Sequence, residues 1–168
     1  MADLEHLIVA EIPSLRRYAR ALTGDAASAD DLVQDCLERA LRRRHLWLKR
    51  GSMRAWLFAI LHNQHRNAVR AQSRRPRLVP TEESLQASVL PAQDHAVRLH
   101  QFSQALRQLP EEQRAVVLLV GLEGMTYRET ANILGVPIGT VMSRLARGRE
   151  RLRQMNQGPE HESKFEAR

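Results

Sequence analysis

Cysteine is nearly missing from this chain. Cys36 stands alone among 168 residues, which excludes an internal disulfide framework and any zinc cluster built on several thiolates. Aromatic residues make up only 4%, so the stacking platforms of RNA-binding sheets are poorly supplied and an aliphatic core on helices fits better. No run approaches the roughly 18 apolar residues of a membrane span. The acidic opening Met1-Ala2-Asp3-Leu4-Glu5 lacks the basic start of a signal peptide, and a cytoplasmic location is expected. Lysine is scarce too: only Lys49 and Lys164 among 26 basic residues, the rest being arginine, whose planar fork suits phosphates and guanine edges.

The most informative absence is local. Residues 39–77 contain 12 basic groups and no acid, where an even spread would put about four acids. Residues 1–38 carry a balance of −5 and residues 78–168 are neutral, so the net +7 of the chain arises from its middle. A surface kept free of repulsion toward a polyanion makes nucleic acid the leading partner.

The apolar periods are helical. Leu4, Leu7, Ile8, Ile12, Leu15, Ala19 and Leu22 form one stripe, in which Pro13 either kinks the helix or starts its second part. After Thr23-Gly24-Asp25, a helix start is expected near Ser28. That helix buries Leu32, Val33, Cys36, Leu37, Ala40 and Leu41 and carries Asp31, Gln34, Asp35 and Glu38 as an acidic stripe beside them. Residues 45–52 read as a loop. Met53, Leu57, Ile60, Leu61 and Ala68 resume the helical period, while Asn63, Arg66, Asn67, Arg70 and Arg74 make a polar, basic ridge on another face.

Between Pro76 and Pro91 the pattern fails, which is the composition of a linker. Beyond it, Leu99, Phe102, Leu106 and Leu109 share a helical face, and Pro110-Glu111-Glu112 opens a short apolar helix reaching about Gly121. No β-alternation of useful length appears, so the expected fold is all-α: two small helical domains joined by a flexible linker. The tail 155–168, with Gly158-Pro159 and mixed charges, is expected to be disordered.

Thr126-Tyr127-Arg128-Glu129 has the spacing of a capping box, so a helix starts there and runs to Leu134. Gly135 permits a turn and Pro137 opens a second helix, expected to turn Ile138, Val141, Met142 and Leu145 inward. Thr140, Ser143, Arg144, Arg147 and Arg151 then point outward. This is the layout of a helix-turn-helix, whose second helix reads the major groove, with Arg149, Arg151 and Arg153 further along on phosphates.

With these motifs in order, the sequence resembles bacterial sigma factors of the extracytoplasmic-function (ECF) type, the minimal members of the sigma-70 family. Residues 106–153, from Leu106-Arg107-Gln108-Leu109-Pro110 through Gly139-Thr140-Val141-Met142-Ser143-Arg144, look like region 4, which reads the minus-35 promoter element. Ala29-Asp30-Asp31-Leu32-Val33-Gln34-Asp35 looks like region 2.2, and Arg54-Ala55-Trp56-Leu57 through Asn63 to Arg74-Arg75 like regions 2.3 and 2.4.

The resemblance implies a division into residues 1–76 (region 2), 77–94 (linker) and 95–154 (region 4). It places Asp30, Asp31, Gln34 and Asp35 on core RNA polymerase. It places Trp47, Lys49, Arg50, Met53, Arg54, Asn63, Arg66, Asn67, Arg70, Arg74 and Arg75 on the minus-10 element, whose melted strand turns a base into the loop near Trp47 to Met53. Arg128, Thr140, Ser143, Arg144, Arg147, Arg149 and Arg151 fall on the minus-35 duplex. Trp56 is expected in the core; Trp47 could pack or stack. Two positions depart from the family pattern, Asn67 where Asp is common and Leu41 where an aromatic is frequent. An anti-sigma partner and a stress or envelope regulon are implied as well.

No nucleotide-binding glycine loop, catalytic triad spacing or metal cluster is visible, so neither catalysis nor a cofactor is expected. His62 and His65 with Cys36 would be a metal set only in surroundings less basic than these. Two other readings compete. An autonomous helix-turn-helix regulator leaves the stripes of the first half unexplained, and a polymerase adaptor that ignores DNA leaves the basic segment idle.

Overall fold

The computed structural model describes residues 2–47, 52–74 and 94–156, and among these every regular element is helical. Three helices form the N-terminal domain: α1 (Ala2–Thr23), α2 (Ala26–Arg42) and α3 (Met53–Arg74), with a single 3-10 turn at Arg44–Leu46. The C-terminal domain holds α4 (Asp94–Gln108), α5 (Glu111–Val117), α6 (Tyr127–Leu134) and α7 (Ile138–Asn156). Helix α5 widens into a π turn at Leu118–Leu122. The expected linker lies outside the described residues except for Asp94, which opens α4. Of the expected tail, Met155 and Asn156 belong to the end of α7, and the remainder lies outside the described residues.

Helix α1 runs through Pro13 without a break, so Pro13 does not begin a second helix. Ile8 and Leu15, buried on either side of it, hold both parts of the helix on the same core. Helix α2 starts before Ser28 because Asp25 caps it: its carboxylate accepts from the Ala27 and Ser28 amides at 3.3 and 2.7 Å. These hydrogen bonds, chiefly those from Ser28, hold the Asp25 pKa below its ordinary value.

Tyr18 and Phe58 are the bulkiest fully buried side chains of the N-terminal domain, their rings tilted by 48° with centroids 5.3 Å apart. Leu15, Leu22, Cys36, Leu57 and Leu61 close around them. The Cys36 thiol donates to the Leu57 carbonyl at 3.5 Å, and burial pushes its pKa up to about 12. In the C-terminal domain Val116, Leu118, Leu119, Val141 and Leu145 are buried. Gly148 is buried where α7 meets α5: a Cβ there would stand 2.8 Å from Val117 Cγ2.

Several expected core positions are exposed instead. Leu7, Leu41, Ala68, Ile138 and Met142 all face solvent. A stripe drawn at offsets of three and four spans a wider arc than the neighbouring helices cover, so its flanks stay uncovered. Leu99 and Phe102 on α4 are exposed too, leaving Leu106 and Leu109 to anchor that helix. The two domains also touch. Arg107 of α4 donates to the Gly24 carbonyl at 2.6 Å, and α3 packs beside α6.

Candidate polymerase and promoter surfaces

Asp30, Asp31, Gln34 and Asp35 are all exposed on α2. Asp30 lies 3.6 Å from Arg16 Nε, whereas no described basic group lies within ion-pair distance of Asp31 or Asp35. The stripe continues to Glu38, which Gln34 and Arg42 approach at 3.4 Å. Its carboxylates can therefore meet an external cation without first breaking a strong internal pair.

The basic ridge of α3 is formed in part. Asn63, Asn67 and Arg70 are exposed, and Arg66, half-buried, donates to Asn63 Oδ1 at 3.3 Å. Arg74 lies at the end of the helix. Lys49, Arg50 and Arg75 lie outside the described residues. Met53, expected to meet a base, is buried, because as the first residue of α3 it falls on the same face as Leu57 and Leu61. Trp47 and Trp56 are half-buried and pack against the core, and the Trp47 indole Nε1 is buried without a hydrogen-bond partner among the described residues.

Arg54 is engaged elsewhere. Its Nη1 donates to Glu11 Oε2 at 2.9 Å and to Ser14 Oγ at 3.2 Å. Its Nη2 donates to the Glu123 carboxylate at 2.7 Å and the Glu123 carbonyl at 3.1 Å. The guanidinium carbon also lies 5.3 Å from the centre of the Phe58 ring. Glu123 thus reaches from the C-terminal domain into the N-terminal one. There it also receives both prongs of Arg17, Nε on Oε1 at 2.9 Å and Nη2 on Oε2 at 2.8 Å. The hydrogen bond that Arg17 donates to Glu123 is the largest cause of its raised pKa. The Glu123 side chain is 0% exposed. Nothing in the local pattern marks this glutamate, since its partners lie more than 60 residues away.

Beside this contact lie two buried imidazoles, also unforeseen as core. His62 Nδ1 shares a hydrogen bond of 3.2 Å with the Tyr18 hydroxyl, and His65 Nε2 stands 3.5 Å from Glu111 Oε1 across the domain boundary. Burial, helped by His65 and Arg66, lowers the His62 pKa to about 4. Burial lowers that of His65 as well, against the pull of Glu111.

The helix-turn-helix has the expected local chemistry. Thr126 Oγ1 accepts from the Glu129 amide at 3.2 Å while Glu129 Oε2 accepts from the Thr126 amide at 2.9 Å. Gly135 ends α6 at φ +66°, a left-handed conformation costly for other residues. Arg128, Ser143, Arg147, Arg149 and Arg151 are exposed and Thr140 is half-buried. Arg144 is half-buried and pairs with Glu112 at 2.6 Å. Ile138 and Met142 are 41% and 53% exposed, so the outward side of the second helix is part apolar.

A capped helix-turn-helix with exposed arginines, joined to a helical domain bearing separate acidic and basic surfaces, defines a promoter-binding transcription factor. Family models agree on both halves: residues 8–62 match the sigma2 domain of PhyR and residues 99–152 match sigma-70 region 4. The ECF RNA polymerase sigma factor EcfG of Rhodopseudomonas palustris is 39% identical over 86% of this chain and 80% of its own length. RpoE of Cereibacter sphaeroides, another ECF sigma factor, is 30% identical over 84% and 80%. Among solved structures, the sigma factor RpoE of Bartonella quintana, bound to the anti-sigma factor NepR, superposes with a TM-score of 0.79. It is 30% identical, over 95% of this chain and 99% of that one.

The chain belongs to the ECF RNA polymerase sigma factors, and its function is to bind core polymerase and direct promoter-specific initiation. No described helix is long and apolar enough to cross a membrane.

Proposed function

We propose that this sigma factor holds core polymerase through Asp30, Asp31, Gln34 and Asp35. The α3 ridge (Asn63, Arg66, Asn67, Arg70, Arg74) meets the melted minus-10 strand, and the second helix of the helix-turn-helix meets the minus-35 duplex. The observation that carries this assignment is the segregation of charge. Helix α2 exposes Asp31 and Asp35, which pair with no basic group among the described residues, while α3 and α7 expose arginines, so one chain can hold a basic protein surface and a polyanion at once. The factor works in the cytoplasm and contributes no catalytic group of its own, the chemistry of RNA synthesis belonging to the polymerase.

Reversing both charges, Asp31→Lys with Asp35→Lys, should weaken binding to core polymerase by about tenfold or more. Both residues are exposed, so helicity should stay the same. Unchanged affinity in a titration against core enzyme would remove the stripe from the interface. On the DNA side, Arg147→Ala should weaken minus-35 duplex binding by roughly 1–3 kcal/mol if Arg147 holds a guanine with both prongs. Arg153→Ala should cost less, because Arg153 already pairs with Glu150 at 2.9 Å. Equal losses for the two variants in a fluorescence anisotropy assay would mean that Arg147 contributes charge only.

An anti-sigma protein is the second partner proposed. The cleft between α1 and α4, about 680 Å³, combines apolar Ile12, Ala21, Leu99 and Leu106 with Arg16, Arg20 and Arg107. Its chemistry suits an amphipathic helix with acidic flanks.

A further inference from the structure

We propose that Met142 reads thymine: its exposed thioether side chain, continued by Ile138, packs on the 5-methyl group of a thymine in the major groove of the minus-35 duplex and makes that element specific at an A·T pair. This role rests on the assignment above, since it requires the second helix of the helix-turn-helix to lie in that groove.

Buried residues fix how the helix faces. Val141, Leu145 and Gly148 turn inward, so on a helix of about 3.6 residues per turn the line through exposed Gly139, Ser143 and Ala146 points the opposite way. Those three are small. Met142 and Arg147 are long, exposed and placed on either side of the line, where they can reach past it to base edges. Arg144 is turned from this face: Glu112 holds its guanidinium at 2.6 Å and its side chain is 22% exposed.

The chemistry of the two flanks differs. Arg147 offers the paired donors that suit guanine. Met142 offers no donor and only a weakly accepting sulfur, so the hydrogen-bonding edge of a base cannot be its specific partner. What the major groove holds for an apolar chain is the C5 methyl, which thymine carries and cytosine lacks. An unbranched thioether with three rotatable bonds can settle on it. Met142 is 53% exposed and Ile138, one turn before it, 41%, so a strip of apolar surface waits to be buried. The strip is continuous with Ser143 and Arg147. A polyanion drawn to the arginines of α7 brings base edges to it, whereas an apolar protein surface would have to bury those charges as well.

The test uses holoenzyme assembled from core polymerase and the full chain, on a promoter that it selects from a library randomised across the minus-35 element. Each thymine of the selected element, on either strand, is replaced in turn by deoxyuridine, which removes the methyl and leaves every hydrogen-bonding group in place. At one thymine or two neighbouring ones, the change should weaken promoter binding by roughly fourfold, the worth of one buried methyl. Met142→Ala should be indifferent to the same replacement and Met142→Leu should still respond to it. Arg147→Ala should bind more weakly yet keep the response. Both positions are exposed, so these variants should fold as the parent does.

A parent holoenzyme indifferent to every deoxyuridine would overturn the methyl contact. So would undiminished sensitivity in Met142→Ala, because the methyl would then act through another residue or through the shape of the duplex. If Met142→Ala lowers affinity for core polymerase and leaves promoter preference unchanged, the strip belongs to a protein partner and the contact with thymine is again excluded. A library that yields no minus-35 preference at all would remove the duplex assignment and the methyl contact with it; a clear preference without methyl sensitivity removes the contact alone.

Discussion

Phe58→Ala is expected to destabilise the N-terminal domain by about 3–5 kcal/mol, the largest loss from any single substitution considered for this chain. Phe58 has no solvent exposure and stacks at a tilt against Tyr18, itself fully buried, so truncation leaves a cavity that the rigid helices around it cannot close. The cation above the ring is lost with it, since Arg54 lies 5.3 Å from its centre. Thermal unfolding followed by circular dichroism should move down by roughly 10 °C for a chain of this size. Phe58→Leu, which refills most of the volume, should cost under about 1.5 kcal/mol. A fall of less than about 1 kcal/mol for the alanine variant would mean that the ring is not central to the packing.

The second large effect is a loss of stability in mild acid. The pKa of His62 is about 4 in the folded chain, held there chiefly by burial, against about 6.5 for an exposed histidine. Above pH 6.5 the imidazole is neutral whether the chain is folded or not, and its contribution is fully present. As the pH falls below that value the unfolded chain takes up a proton that the folded one refuses, so stability declines until the pH reaches the folded value. Over the whole window the loss is about 3 kcal/mol. His65 is lowered in the same direction and adds to it. Urea unfolding at pH 7.5 and pH 5 should therefore show a clear drop, and His62→Gln should flatten it. A midpoint independent of pH between those values would show that His62 is exposed in the native protein, and one that rises in acid would show that it is protonated there.

Much of the fold could be read along the chain. The helices, the capping box at Thr126 and the glycine turn at Gly135 depend on residues within a few positions of one another, so local period and hydrogen-bonding chemistry suffice to locate them. The acidic stripe of α2 was legible for the same reason: its residues are exposed, and an exposed side chain needs no distant partner. Helix faces were less certain. Val141 and Leu145 are inward as their period requires, yet Ile138 and Met142, on the flanks of that stripe, are exposed. In the first domain Tyr18, Phe58, His62 and His65 proved to be buried, because α1 and α3 each pack on more than one side.

The amino-acid sequence alone determined that this is an all-helical chain with a helix-turn-helix in its second half and with an acidic stripe and a basic ridge on different helices. The tertiary structure alone decided that Glu123 is a buried ion, that Arg54 answers to it, and that the two domains lean on each other. The reason is physical. Helices arise from interactions a few residues apart, whereas the environment of a charge is set by whatever packs against it, here residues more than 60 positions away in the chain.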